Sequence, residues 1–314
     1  MKVVFHYDAG PGLSASLREL GGEGLEVEVV PVADREGFSK AMKDCEVLWH
    51  VLEPVTGEHM RNAPELKLIQ KFGVGVNTID LEAASASGIV VCNMPGTNSQ
   101  AVAEMTLLLM LSALRCAAQF DRQTRRGEGW NLPPEIQDSL GEISGKVVGF
   151  VGYGEIPRRL APVLKAMGAR TLYTATSPKK TNDAEWRELN MLLDESDIIS
   201  LHIPLTNATA NLIDADAFQK MKPGAVLVNT ARGGVVDQGA LIEALTIGQL
   251  RAAGLDVFAE EPISIDDPIL NLDNVTVTPH ISWLTSETLE RSIAVAVENC
   301  KILKNGRDLK HRVV

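Results

Sequence analysis

KVVGFVGYGEIP, residues 146–157, is an apolar run that breaks into a glycine turn and opens the helical pattern RRLAPVLKAMG. Val147–Val151 reads as a strand, Gly152 permits the bend, and Gly154 lets backbone approach an anion at a helix N-terminus. The candidate contacts of this dinucleotide-type turn are Gly152, Tyr153, Gly154, Glu155 and Ile156. Pro157 stands where a third glycine is usual. Proline is tolerated in the first turn of a helix, where its missing N–H would have no intrahelical partner. Taken alone, the stretch also fits an ordinary tight strand-to-helix turn.

The same alternation of short apolar runs and helical patterns extends in both directions. Downstream lie Arg170–Tyr173, Ile198–Leu201, Ala225–Val228, Ala252–Val257 and Val275–Thr278; upstream lie Val3–Tyr7, Leu25–Val30, Val47–Val51, Leu68–Phe72 and Ile89–Cys92. Strand–helix alternation predicts α/β architecture with parallel sheets covered on both faces. Composition alone puts a domain boundary at Gly127–Gly145, which is rich in glycine, proline and polar residues. One long apolar helix is expected over Ser99–Arg125. An amphipathic helix is expected over Ser286–Leu303, with Leu289, Ile293, Val297, Cys300 and Leu303 as its apolar stripe.

A chain of 314 residues can bury a large core and favours about two domains. Its net charge of −11 argues against nucleic-acid and anionic-membrane partners, so an anionic ligand must be held by a local arrangement. Cys45, Cys92, Cys116 and Cys300 are widely spaced and show no metal-ligand pattern, so reduced thiols and no metal are expected. The longest apolar stretch, Met105–Leu114, is half the roughly 20 residues a membrane span needs. With a first strand starting almost at once and no signal peptide visible, a cytoplasmic location is expected.

Three charged residues carry the chemistry. Arg232 follows the run AVLVN, at the end of a strand where open α/β sheets bind ligands. A guanidinium fork suits a carboxylate and a neighbouring carbonyl oxygen, although an arginine in such a place is usually a salt-bridge partner. His280 follows Pro279 at the end of VTVT, and Glu261 lies 19 residues earlier, beside Pro262. If these two meet, the carboxylate fixes the imidazole tautomer and makes it a general acid near neutral pH. A second glycine loop, KFGVGVN at 71–77, suits either a carboxylate or a plain turn.

After the strand ARTLY come Thr174, Ala175, Thr176, Ser177, Pro178, Lys179 and Lys180, with no carboxylate before Asp183. An acid here grips the ribose 2′-hydroxyl of NAD and repels a 2′-phosphate. Hydroxyls and lysines accept the phosphate, so the loop leans towards NADP, with NAD the alternative.

The segments KFGVGVNTIDLEAASASGIVVCNMPGTNSQAVAEMTL, HIPLT, MKPGAVLVNTARGGVVD, AAGLDVFAEEP and TPHIS, in this order, resemble the D-isomer-specific 2-hydroxyacid dehydrogenase family over nearly the whole chain. The resemblance implies reversible reduction of a 2-keto acid to the D-hydroxy acid with a nicotinamide cofactor. Arg232 would clamp the substrate carboxylate and carbonyl. His280, paired with Glu261, would protonate the carbonyl oxygen. Val74 and Gly75 would offer N–H groups to the carboxylate, and Leu52 would help shape the pocket. Glu155 and Ile156 would face the pyrophosphate, and His202, Ile203 and Pro204 would flank the cofactor. Thr230 and Ala231 would border it, and Asp256 would bind the nicotinamide amide.

The family also implies two Rossmann- or flavodoxin-like domains. The cofactor domain, 99–285, would be inserted into a discontinuous substrate domain, 1–98 and 286–314. That division overrides the composition-based boundary and makes the apolar helix, with Trp130 after it, part of a homodimer interface. Trp283 resembles the glyoxylate and hydroxypyruvate reductase branch, which points to a small 2-keto acid. Two other readings share the scaffold: a nicotinamide-sensing corepressor-like binding protein, and a phosphite-type dehydrogenase. Glu261 argues against formate chemistry, where glutamine stands instead.

Overall fold

The computed structural model describes residues 1–130, 132 and 134–314. Contacts divide the chain into two compact units, 1–98 with 285–314, and 99–284. The boundary suggested by composition, 127–145, falls inside the second unit, and residues 131 and 133 of it lie outside the described residues. A glycine- and proline-rich stretch marks a loop, and this one joins elements of the same unit.

In the first unit, β1 (Lys2–His6), β2 (Glu26–Val30), β3 (Val47–His50), β4 (Leu68–Lys71) and β5 (Val90–Cys92) form a parallel sheet in the order β2-β1-β3-β4-β5. This is the flavodoxin-like doubly wound order. β3 and β4 are buried along their whole length, their apolar starts and their polar ends at His50, Gln70 and Lys71 alike. The chain returns at its end through a helix, Ser286–Lys304, capped by the Thr285 side chain.

That helix does not bury the expected stripe. Val297 and Cys300 are buried, but Leu289, Ile293 and Leu303 are only half-buried, and the buried face runs through Thr288, Ser292, Ala296 and Asn299. The small side chains permit close packing. Asn299 has a polar reason to be inside: its Nδ2 donates to Gln70 Oε1 at 2.7 Å and to the Lys310 carbonyl at 3.1 Å. Apolar periodicity could not register a face built from small and amide-bearing residues.

The second unit holds β6 (Val147–Val151), β7 (Arg170–Thr174), β8 (Glu185–Trp186), β9 (Ile198–Leu201), β10 (Ala225–Asn229), β11 (Leu250–Leu255) and β12 (Val275–Val277). All pairs are parallel, in the order β12-β11-β10-β9-β6-β7-β8, which is the Rossmann arrangement with one further strand. β8, only two residues long, gave no pattern in the sequence. The topological switch point lies between β6 and β9.

The long apolar helix is two helices, Ser99–Arg115 and Ala117–Arg125, bent by 65°. Cys116 between them is left-handed, with φ 52°. The first segment buries nine residues, and its Leu109 packs so close to β11 that a side chain on Gly254 would collide with it. The second, AAQFDRQTR, buries none. The break falls where apolar composition gives way to polar, since a straight continuation would carry charges along the covered face. Among the described residues, no single helix is long and apolar enough to cross a membrane.

Candidate active site

Three adjacent strands of the second unit deliver Arg232, Glu261 and His280 from their carboxyl ends. Arg232 stands after β10, Glu261 after β11 and His280 after β12. Asn229, the last residue of β10, shapes the first loop. Its side chain accepts from the Ala231 N–H at 3.0 Å and donates to the Arg232 carbonyl at 3.0 Å. The half-buried Arg232 guanidinium donates through Nη1 to the Ala231 carbonyl at 2.6 Å.

Gly233 then lets this loop meet the next. A Cβ at position 233 would stand 1.9 Å from both the carbonyl carbon and the oxygen of Phe258. The Phe258 N–H in turn donates to Glu261 Oε1 at 2.9 Å, while Glu261 Oε2 pairs with His280 Nδ1 at 2.6 Å. One carboxylate therefore ties the loop after β11 to the imidazole after β12. It also keeps the proton on Nδ1 and leaves Nε2 as the position from which a proton can be exchanged.

Asp256 organises the His280 loop from below. It is 1 % exposed, and its carboxylate accepts from Thr278 Oγ1 at 2.6 Å, the Ile281 N–H at 2.9 Å and the Ser282 N–H at 2.9 Å. Its carbonyl accepts the His280 N–H at 2.8 Å. The Asp256 carboxylate thereby satisfies buried N–H groups of this loop, which must find partners. His280 itself has φ 54°, a left-handed conformation that a non-glycine residue holds only when its surroundings impose it.

The electrostatics suit a carboxylate beside a cationic fork. Burial works to raise the Glu261 pKa. The His280 hydrogen bond and charge, the Phe258 N–H and the Arg232 charge outweigh it, leaving Glu261 below the ordinary 4.5. Burial lowers the Arg232 pKa from its ordinary value, and the Glu261 charge opposes that shift. An arginine so placed remains a cation in any aqueous range.

The glycine turn follows β6. Gly152 has φ 95°, and a Cβ there would stand 2.5 Å from the His202 carbonyl oxygen, so only glycine packs across the switch point. Gly154 faces open space, with nothing within 4 Å of a built Cβ. It caps the helix Glu155–Ala166 without any side-chain hydrogen bond, so the Glu155 and Ile156 N–H groups lack an intrahelical partner. An open cradle with amide donors fits a pyrophosphate. Pro157 is accommodated by burial in the first turn. Glu155, by contrast, places an exposed carboxylate at the same helix end, an unfavourable charge for an anionic ligand.

Around the turn, His202 Nε2 shares a hydrogen bond with Ser200 Oγ at 2.9 Å, and desolvation lowers its pKa to about 3, so the ring is neutral. The half-buried Ile203 lies against Gly152, and Pro204 is exposed. Thr174 accepts the Gly152 N–H through its carbonyl at 3.0 Å. Ala175 is half-buried, and Thr176, Ser177 and Lys179 are exposed. The Thr230 hydroxyl donates to Thr106 Oγ1 at 2.9 Å, since the Thr106 proton is already given to the Val102 carbonyl. The Tyr153 side chain is 5 % exposed and turned into the core, so this residue offers the turn its backbone alone.

In the first unit, Val74 is 48 % and Leu52 39 % exposed, large apolar groups beyond the ends of β4 and β3. The Val74 carbonyl accepts from Asn93 Nδ2 at 3.0 Å, and Gly75 is half-buried. Trp283, in the second unit, is half-buried directly after the loop that Asp256 holds. Sequence alone did not mark Asn229 as shaping the Arg232 loop, although a polar residue ending an otherwise apolar strand was an available signal; for the loop contact the signal was the Gly233-Gly234 pair, which permits close backbone approach. Among the described residues, no group of three or more His, Cys, Asp or Glu is placed to hold a metal ion.

Residues 107–282 match the model of the D-isomer specific 2-hydroxyacid dehydrogenase, NAD binding domain. The glyoxylate reductase of Korarchaeum cryptofilum is 38% identical over 271 residues, covering 84% of this chain and 81% of that protein. The D-3-phosphoglycerate dehydrogenase of Mycobacterium tuberculosis is 38% identical over 290 residues, covering 91% of this chain but 54% of that longer protein. Among solved structures, the TT0316 protein of Thermus thermophilus superposes with a TM-score of 0.90 at 36% identity, with 100% of each chain covered. By sequence and fold, the chain belongs to the D-isomer specific 2-hydroxyacid dehydrogenase family.

Proposed function

We propose that the protein is a glyoxylate- or hydroxypyruvate-type reductase that converts a small 2-keto acid to its D-2-hydroxy acid and prefers NADPH. The observation that carries the reading is the 2.6 Å Glu261–His280 pair, built on the loop that packs against Gly233 beside Arg232. When bound, the nicotinamide supplies the hydride. Arg232 pairs its fork with the substrate carboxylate and carbonyl oxygen, stabilising charge on that oxygen as it becomes an alkoxide. His280 gives its Nε2 proton to the same oxygen, and Glu261 stabilises the imidazolium before transfer and holds the ring at a fixed angle. The Val74 and Gly75 N–H groups are assigned to the substrate carboxylate, and Leu52 and Trp283 to the limits of its tail.

The 2′-phosphate preference rests on the exposed Thr176, Ser177 and Lys179 and on the absence of an acid at Ala175. The units 1–98 with 285–314 and 99–284 are assigned substrate and cofactor binding respectively. A homodimer in the cytoplasm is part of the reading: Leu108, 54 % exposed on the apolar helix, and Trp130, 87 % exposed beyond it, offer apolar surface to a second copy. Arg232→Ala tests the site. We expect it to abolish keto-acid reduction while leaving nucleotide binding within about twofold, since its fork serves the substrate; unchanged turnover would remove the assignment.

A further inference from the structure

Behind the glycine turn, two tyrosines are stacked. The Tyr153 and Tyr173 rings lie 4.2 Å apart at 29°, and both side chains are buried. Stacking needs only the rings. The Tyr173 hydroxyl does something else: it accepts the Lys179 N–H at 2.6 Å and donates to the Lys179 carbonyl at 3.0 Å. One phenol thereby closes the segment after β7 into a ring, fixing the backbone of Lys179 relative to the strand that precedes it.

The neighbouring contacts extend this clamp. Tyr153 Oη shares a hydrogen bond with Thr181 Oγ1 at 3.2 Å, and Thr181 Oγ1 accepts the Asp183 N–H at 3.2 Å. The Arg158 guanidinium lies over the Tyr153 ring, 5.8 Å from its centroid. On the closed segment, Lys179 Nζ reaches Ser177 Oγ at 3.4 Å, so an ammonium and a hydroxyl are presented together on an otherwise exposed loop. A lysine on a free loop forfeits much of its binding energy to ordering, and a backbone fixed beforehand removes part of that cost.

We propose that Tyr173 is a positioning residue for cofactor selection: its hydroxyl holds the backbone at Lys179 so that Lys179 and Ser177 meet the 2′-phosphate of NADPH. The inference rests on the NADPH reading above. The Tyr173 hydroxyl is committed to the Lys179 backbone, and a purely structural role would affect NADPH and NADH alike.

The test compares the wild-type chain, Tyr173→Phe and Lys179→Ala by two readouts: dissociation constants for NADPH and NADH from nucleotide fluorescence, and the rate of trypsin cleavage after Lys180. Tyr173→Phe keeps the stacked ring and removes two hydrogen bonds. It is expected to weaken NADPH by about five- to tenfold, to change NADH less than about twofold, and to speed cleavage. Lys179→Ala should weaken NADPH to a similar degree. Equal losses for both nucleotides, or none, with unchanged cleavage would overturn the role of Tyr173. Faster cleavage in Tyr173→Phe, with NADPH binding unaltered in Lys179→Ala, would establish the clamp but overturn the NADPH reading and the selective role with it.

Discussion

Replacing Gly233 by alanine adds one methyl group at the point where the Arg232 loop meets the Glu261 loop. The new Cβ would sit 1.9 Å from the Phe258 carbonyl carbon and oxygen and 2.5 Å from the Ala259 nitrogen, all backbone atoms that no rotamer change can move aside. Ordinary contact begins at 3.4 Å, so the two loops must part by about 1.5 Å. Overpacking of this kind costs about 1–3 kcal/mol. The catalytic consequence is larger, because the Phe258 N–H holds Glu261 Oε1 at 2.9 Å and Glu261 holds His280. A misplacement of roughly 1 Å in such a set costs about 10²-fold in rate. Steady-state kinetics should therefore show kcat falling about 100-fold for Gly233→Ala with nucleotide affinity preserved, alongside a lower unfolding midpoint in urea. Wild-type kcat in a Gly233→Ala protein of normal stability would refute the claim that this contact sets the geometry of the site.

His280→Gln should lower kcat by about 10²–10⁴ with modest change in KM, the span of a lost general acid, and a kcat within twofold of wild type would remove His280 from proton transfer. His50 is 1 % exposed, and burial, aided by the Lys71 charge, lowers its pKa from 6.5 to about 3. Below pH 6.5 the unfolded chain binds a proton there that the folded chain refuses, so acidification costs stability at up to about 1.4 kcal/mol per pH unit. Urea unfolding at pH 7.5 and 5.0 should show that loss shrink in His50→Gln, and an identical pH dependence in both proteins would contradict it.

The sequence carried the fold because both sheets consist of buried parallel strands, whose apolar runs stand out between helical patterns. It carried the site through Arg232, Glu261 and His280, whose order matched a family even though spacing alone could not bring Glu261 to His280. It did not carry what depends on local backbone choice. Cys116 takes a left-handed turn that its residue type does not call for, and the final helix buries Thr288, Ser292 and Asn299, where polarity argued for solvent. Asp256 and Tyr173 illustrate the same limit. Both hold loop backbone through hydrogen bonds, and nothing in residue type announces which loop a buried carboxylate or phenol will hold.

The most direct test of the central claim is the loss of reduced-nicotinamide absorbance with purified protein, offering glyoxylate, hydroxypyruvate, pyruvate and phenylpyruvate with NADPH and then NADH. The account predicts turnover of the smaller keto acids, faster with NADPH. Tight nucleotide binding with no turnover of any of the four would contradict it.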